Sequence, residues 1–135
     1  MMIVCIDGND GTGKSSLIKK LREIFPEVAF QDRGLPSAMT DGGTTDEADL
    51  YIILDATILT CQKRLVQAGK SLEEKYHNEQ DLTYYREKFM QVANQINAVI
   101  INAEPPIDNV CSEVVKIIKE NCRKLGNISP STGNL

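Results

Sequence analysis

The stretch Gly8-Asn9-Asp10-Gly11-Thr12-Gly13-Lys14-Ser15 decides how the chain is read. A glycine, four residues and then Gly-Lys-Ser is the spacing of a phosphate-binding loop. Its flanks suit it, with the apolar run Met2-Ile3-Val4-Cys5-Ile6 before it and the helical pattern Ser16-Leu17-Ile18-Lys19-Lys20-Leu21 after it. The glycines let the backbone turn its N–H groups inward around phosphate oxygens, and a helix that begins near Lys14 points its positive end at the same charge. On that pattern residues Gly8 to Ser16 cradle phosphates, Lys14 reaches the outer ones and the Ser15 hydroxyl ligates Mg²⁺. Lys14 is expected to be solvent-accessible in the free protein. The competing explanation, a glycine-rich turn with a chance lysine, does not account for the strand-loop-helix context.

Outward from the loop, length and composition set limits. With 135 residues, 41% of them hydrophobic and 25% charged, the chain can bury one core and not two. One domain over 1–125 is expected. The tail 126–135 has too little apolar material to fold alone and is expected to be flexible. A net charge of −4 argues against a general nucleic-acid or anionic-membrane binder, since those present basic surfaces. Cys5, Cys61, Cys111 and Cys122 lack the short spacing of a zinc site or redox pair and read as buried thiols. No run of eighteen apolar residues occurs, and the first residues lead into the loop without a basic segment or cleavage site. A soluble, cytoplasmic protein is expected.

Hydrophobic periodicity supplies the elements. Leu17, Ile18, Leu21, Ile24 and Phe25 predict a helix over 14–25, stopped by Pro26. Val28-Ala29-Phe30 predicts a short strand, and 35–47, rich in Gly, Ser, Thr and Asp, a long loop. The apolar run Leu50 to Leu54 suits a strand covered on both faces. Ile58, Cys61 and Leu65 predict a helix over 57–68, and Leu82, Tyr85, Phe89, Val92 and Ile96 one over 81–96, with Tyr85 as packing. Between them 70–80 is polar and lid-like, and His77 within it is expected to be a solvated side chain. Ala98 to Ile101 predicts a fourth strand and Ile107 to Leu125 a last helix.

Strands alternating with helices imply an α/β fold, a parallel sheet of about four strands with right-handed crossovers and helices on both faces. Ligands in such sheets sit beyond the carboxyl ends of the strands. Asp7, Asp32-Arg33, Asp55 and Asn102-Ala103 all fall at predicted strand ends, on the rim that carries the loop.

The run Cys5 to Ser16 resembles the opening of thymidylate kinases and related deoxynucleotide and deoxynucleoside kinases, in which an acidic residue precedes the first loop glycine and a second lies within the loop. Asp7 and Asp10 match those places. Asp32-Arg33 followed by Ser37 is similar to the family's Asp-Arg signature, Leu50 to Asp55 and then Arg64 to its Leu-Asp strand and adenine-side arginine, and Ile101-Asn102-Ala103 to its adenine-side loop. The resemblance implies a three-layer P-loop fold and transfer of the γ-phosphoryl group of ATP, with Mg²⁺, to a nucleoside monophosphate such as dTMP. The alternatives are a deoxynucleoside acceptor, or an ATP-binding regulatory protein lacking a complete acceptor site. It further implies Lys14, Asp32 and Arg33 as catalytic residues, Ser15 and Asp32 at the metal, Arg64, Asn102 and Ala103 on the adenine side, and Asp7, Asp10, Arg33 and Ser37 on the acceptor side. A small nucleotide or nucleoside acceptor is the expected partner, with no nucleic acid or membrane. The family's homodimers use helices that this sequence does not clearly supply. Asp32 alone is also an ordinary turn residue, and Asp55 competes with it for the metal. The family's acceptor segment between the first helix and the Asp-Arg strand is missing, and Lys70 and Lys75 stand where a lid arginine is common.

Overall fold

The computed structural model describes residues 2–32 and 48–125. Expectations for 33–47, including Arg33 and Ser37, and for the tail 126–135 lie outside the described residues. Four strands, β1 (Ile3–Gly8), β2 (Ala29–Gln31), β3 (Leu50–Asp55) and β4 (Val99–Asn102), alternate with helices α1 (Lys14–Ile24), α2 (Ile58–Gln67), α3 (Glu79–Ile96) and α4 (Ile107–Leu125). All pair in parallel in the order β2-β1-β3-β4. Register places Ile6 beside Ile52 and Gly8 beside Leu54, so the phosphate loop leaves β1 level with the end of β3.

Side-chain alternation along the two central strands divides the interior. Val4 and Ile6 of β1, Ile52 and Leu54 of β3 and Ile101 of β4 face Leu17, Ile18 and Leu21 of α1, Cys61 and Leu65 of α2, and Val110, Val114 and Ile118 of α4. Cys5 and Ile53 face the other way, against Phe89, Val92 and Ala93 of α3. Helices therefore cover both faces, and each fully buried aliphatic side chain contributes about 1.5–3 kcal/mol. The predicted helical stripe in α3 is thus split. Leu82 joins the larger core, and the positions after it serve the smaller one.

Boundaries move for identifiable reasons. The third helix begins at Glu79, two residues earlier than the predicted start at 81, because the Asn78 side chain accepts from the Asp81 N–H and caps it. β2 is shifted to Ala29–Gln31 by pairing of Ile3 with Ala29 and Cys5 with Gln31. The first helix stops at Ile24, and Phe25 closes it with an N–H to the Leu21 carbonyl. All four cysteines are buried, and none is in a disulfide. Among the described residues no helix is long and apolar enough to cross a membrane.

Candidate active site

The phosphate loop is fixed from both ends. Gly8, at φ 151, passes so close to β3 that a Cβ would stand 2.6 Å from the Leu54 carbonyl oxygen. Gly11, at φ 92, lies against α2, where a Cβ would stand 2.6 Å from the Cys61 carbonyl oxygen. Only glycine combines those backbone angles with that approach. Between them the Thr12 hydroxyl donates to the Asn9 carbonyl at 2.7 Å, and the buried Asn9 side chain donates to the Leu82 carbonyl of α3 at 2.8 Å. Gly13 is the N-cap of α1 and brings no side-chain cap. The first-turn N–H groups are thus left to a ligand, and the helix dipole favours an anionic one.

Lys14 differs from its expectation. Its ammonium donates to Asp7 Oδ1 at 3.2 Å, and the side chain is 19% exposed against 5% for Asp7. Asp7 also accepts the Gly8 N–H at 2.9 Å. The lysine is anchored rather than free in solvent, because a carboxylate buried at the end of β1 needs a cation and the loop returns Lys14 to it.

The loop opens into a cleft of about 680 Å³ lined by Asn9 to Ser16, by Arg64, Leu65, Ala68, Lys70 and His77, and by Ala103, Pro105, Pro106, Ile107 and Val110. Arg64 joins its two walls. Its guanidinium lies 3.4 Å from the carbonyl oxygens of Gly11 and Thr12, and donates to those of Glu104 and Pro105 at 3.1 and 3.4 Å. Ala103 is buried in the opposite wall. Asn102 is exposed, accepts the Glu104 N–H at 3.0 Å and is not among the lining residues.

The chain is similar to known proteins in the following measure. No family model matches it. Bifunctional cordycepin biosynthesis cluster protein 3 of Cordyceps militaris is 26% identical to it over 147 aligned positions, which cover 86% of this chain and 17% of that one. The chain thus spans under a fifth of that relative. A gluconokinase from Sinorhizobium meliloti 1021 superposes with a TM-score of 0.60 at 12% identity, over 93% of this chain and 98% of that one. The chain thus shares the α/β fold of that gluconokinase, with its parallel sheet covered by helices. An acetyl xylan esterase, AlAXEase, gives a TM-score of 0.32 at 11% identity over 89% of this chain and 85% of that one.

On this fold the remaining expected residues are distributed unevenly. Ser15 and Ser16 are exposed in the first turn of α1 and line the cleft. Asp32 is exposed just beyond β2, beside β1, and does not line it. Asp10 is exposed at the tip of the loop, where its carboxylate meets His77 Nε2 at 3.0 Å. His77, expected to be solvated, has a side chain only 13% exposed and lines the cleft. It is carried there by the turn before α3, in which the His77 N–H donates to the Glu74 carbonyl and the Tyr76 N–H to Asp81 Oδ2.

Two side chains that sequence reasoning did not single out, Arg86 and Glu104, and Cys61, read there only as a buried thiol of a helical stripe, shape the site. Arg86 of α3 grips Asp55 at the end of β3 with two bonds, 2.8 and 3.1 Å, and this pairing raises the arginine further above its ordinary range. Asp55 is therefore committed to α3 and is not a free metal acid. Glu104 receives the Thr60 hydroxyl and the Thr57 N–H, both at 2.6 Å, and these bonds hold its carboxyl below its usual range. It thereby ties the wall after β4 to the start of α2. Cys61, beneath Gly11, has its thiol pushed up to about 11, chiefly by burial. None of these carries a local signal, since each partner comes from a distant element.

Magnesium needs oxygen donors, and it is commonly held by one or two side chains together with substrate phosphates. Among the described residues no cluster of three His, Cys, Asp or Glu side chains stands ready for a metal. Of the two side chains expected at the metal, the Ser15 hydroxyl lines the cleft, and the exposed Asp32 lies at the neighbouring strand end outside its lining.

Proposed function

We propose that the protein is an ATP-dependent phosphotransferase whose acceptor is a small nucleotide or nucleoside, a nucleoside monophosphate such as dTMP first among them. The observation that carries this is Lys14, held 3.2 Å from Asp7 at the mouth of a glycine-fixed loop whose helix N-terminus has no side-chain cap. A lysine placed there can exchange a carboxylate for a phosphate oxygen and follow charge as it develops in transfer. The purine of ATP belongs in the cleft against the Arg64 guanidinium and the Ala103-Pro105 wall to which that guanidinium is bonded, with the triphosphate running toward residues 11–16. Ser15 holds Mg²⁺ together with those phosphates, Asp32 acts from beside them, and the bound metal neutralises phosphate charge. Asp7, Asp10, Arg33 and Ser37 are assigned to the acceptor side on the resemblance to the nucleotide kinases.

Support for a nucleotide acceptor, rather than a sugar acid such as a gluconokinase takes, comes from the acidic residues before and inside the loop and from the Asp-Arg pair. A second reading has its own observation. Only residues 25–28 separate α1 from β2, so the chain has no acceptor-binding elements there, as an ATP-binding regulatory protein would not need. ADP release measured with ATP·Mg²⁺ alone, and then with a panel of nucleosides, nucleoside monophosphates and gluconate, separates the cases. Stimulation by one nucleotide or nucleoside supports the proposal. Stimulation by gluconate alone, or by none, overturns it.

A further inference from the structure

His77 is the only histidine in the chain, and the structure puts it in the donor cleft between two carboxylates. Nε2 lies 3.0 Å from Asp10 Oδ2, and Nδ1 lies 3.5 Å from Glu74 Oε2. A carboxylate accepts only, so the hydrogen of that first bond belongs to Nε2. In the neutral ring Nδ1 is then a lone pair facing Glu74. That atom is buried and has no hydrogen-bond partner. The doubly protonated ring gives both nitrogens an acceptor.

Asp10 adds a second consideration. It places a carboxylate at the tip of a loop that receives a polyanion, where like charges repel strongly outside bulk water. Among the described residues the other charged groups lining the cleft are Lys14, Arg64 and Lys70. A triphosphate satisfies those cations and adds negative charge beside a ring that already faces Asp10 and Glu74. We propose that binding of a polyphosphate is coupled to uptake of one proton from solvent by His77, whose imidazolium, held by Asp10 and Glu74, offsets the acidic residue in the loop. The inference rests on the donor site described above and adds to it a proton-linked cation from the segment before α3.

Because the histidine is single, its ring nitrogens can be followed by ¹⁵N NMR in the intact protein without substitution. At about pH 7.5, above the ordinary histidine range, ATP or inorganic tripolyphosphate should move both signals to the imidazolium pattern, and adenosine should not. Calorimetry in buffers of different ionisation heat should show more proton uptake on ATP binding in the parent than in His77→Gln, a comparison in which protonation of ATP itself cancels. His77→Gln should bind ATP about tenfold more weakly than the parent near pH 6.5, converge with it near pH 8.5, and bind adenosine equally well. A ring that stays neutral with ATP bound, or equal proton uptake in the two proteins, overturns the inference and leaves the donor site standing. A parent that binds neither ATP nor tripolyphosphate overturns both.

Discussion

Two carboxylates at neighbouring strand ends each hold a cation, and they hold it differently. Asp7, at the end of β1, is nearly buried and is met by one prong of a lysine at 3.2 Å. Asp55, at the end of β3, is 25% exposed and is gripped by both prongs of Arg86, itself 37% exposed, at 2.8 and 3.1 Å. A lysine is a point charge on a flexible stem and can change partners at small cost, whereas a guanidinium fork that satisfies a carboxylate twice is committed to it. The first pair stands at the mouth of the phosphate loop, and the second fastens α3 to the sheet. One carboxylate parks a working cation, and the other fixes the frame from which the Leu82 carbonyl steadies Asn9.

The largest expected effect comes from breaking the first pair. Lys14→Ala should lower turnover by about a thousandfold or more, since it removes a charge aimed at the transferring phosphate. It should also destabilise the fold by about 1 kcal/mol, because the nearly buried Asp7 loses the ammonium that stands 3.2 Å from it. Chemical denaturation alongside an ADP-release assay checks both. Unchanged stability would mean that Lys14 is as free in solution as its sequence suggests.

Breaking the second pair should cost the fold and spare the ligand. Arg86→Ala is expected to lower stability by about 1 kcal/mol, an estimate already reduced for partial exposure, with Arg86→Lys intermediate and the Kd for ATP within about threefold of the parent. If ATP binding collapses while stability holds, Arg86 belongs with the phosphates and the contrast between the pairs fails.

Cys61 sharpens the comparison from beneath the loop. With its thiol held near 11 by burial, it should resist a thiolate-directed reagent at about pH 8 until the protein opens. Labelling of the folded protein at the rate of a free cysteine would show that the seat of Gly11 is looser than described.

The smallest effect concerns Glu104, whose carboxyl is held below its ordinary value of 4.5 by Thr60 and Thr57. A lowered folded-state value means that its contribution is complete above about pH 4.5 and fades as acid carries the pH through the folded value. Glu104→Gln should therefore differ slightly from the parent near neutrality and converge with it in acid, in thermal melts across that range. A difference that grows toward low pH would reverse the assignment.

Much of this was legible in the sequence wherever the cause is local. The loop spacing, the all-apolar Leu50 to Leu54 and the stripe through Leu82, Phe89 and Val92 each specify their element within a few residues, and the parallel sheet follows from their alternation. Ser15 falls at the cleft through the loop spacing and Ala103 as the residue after β4, whereas Arg64 was placed there only by the family resemblance. What could not be read lies in pairings across the fold. Arg86 meets Asp55 at a separation of 31 residues, His77 meets Asp10 at 67 and Asn9 meets Leu82 at 73. His77 looked solvated because its sequence neighbours are polar. The turn before α3, which aims it into the cleft, depends on Asp81 and on packing of the whole helix.

The central claim is that Lys14 changes partners on binding and Arg86 does not. A crystal structure with a non-hydrolysable ATP analogue and Mg²⁺ tests it most directly. The account predicts that the Lys14 ammonium leaves Asp7 for a phosphate oxygen while both bonds from Arg86 to Asp55 persist. An analogue bound in the cleft with Lys14 still on Asp7, or with Arg86 drawn away to the phosphates, would contradict it.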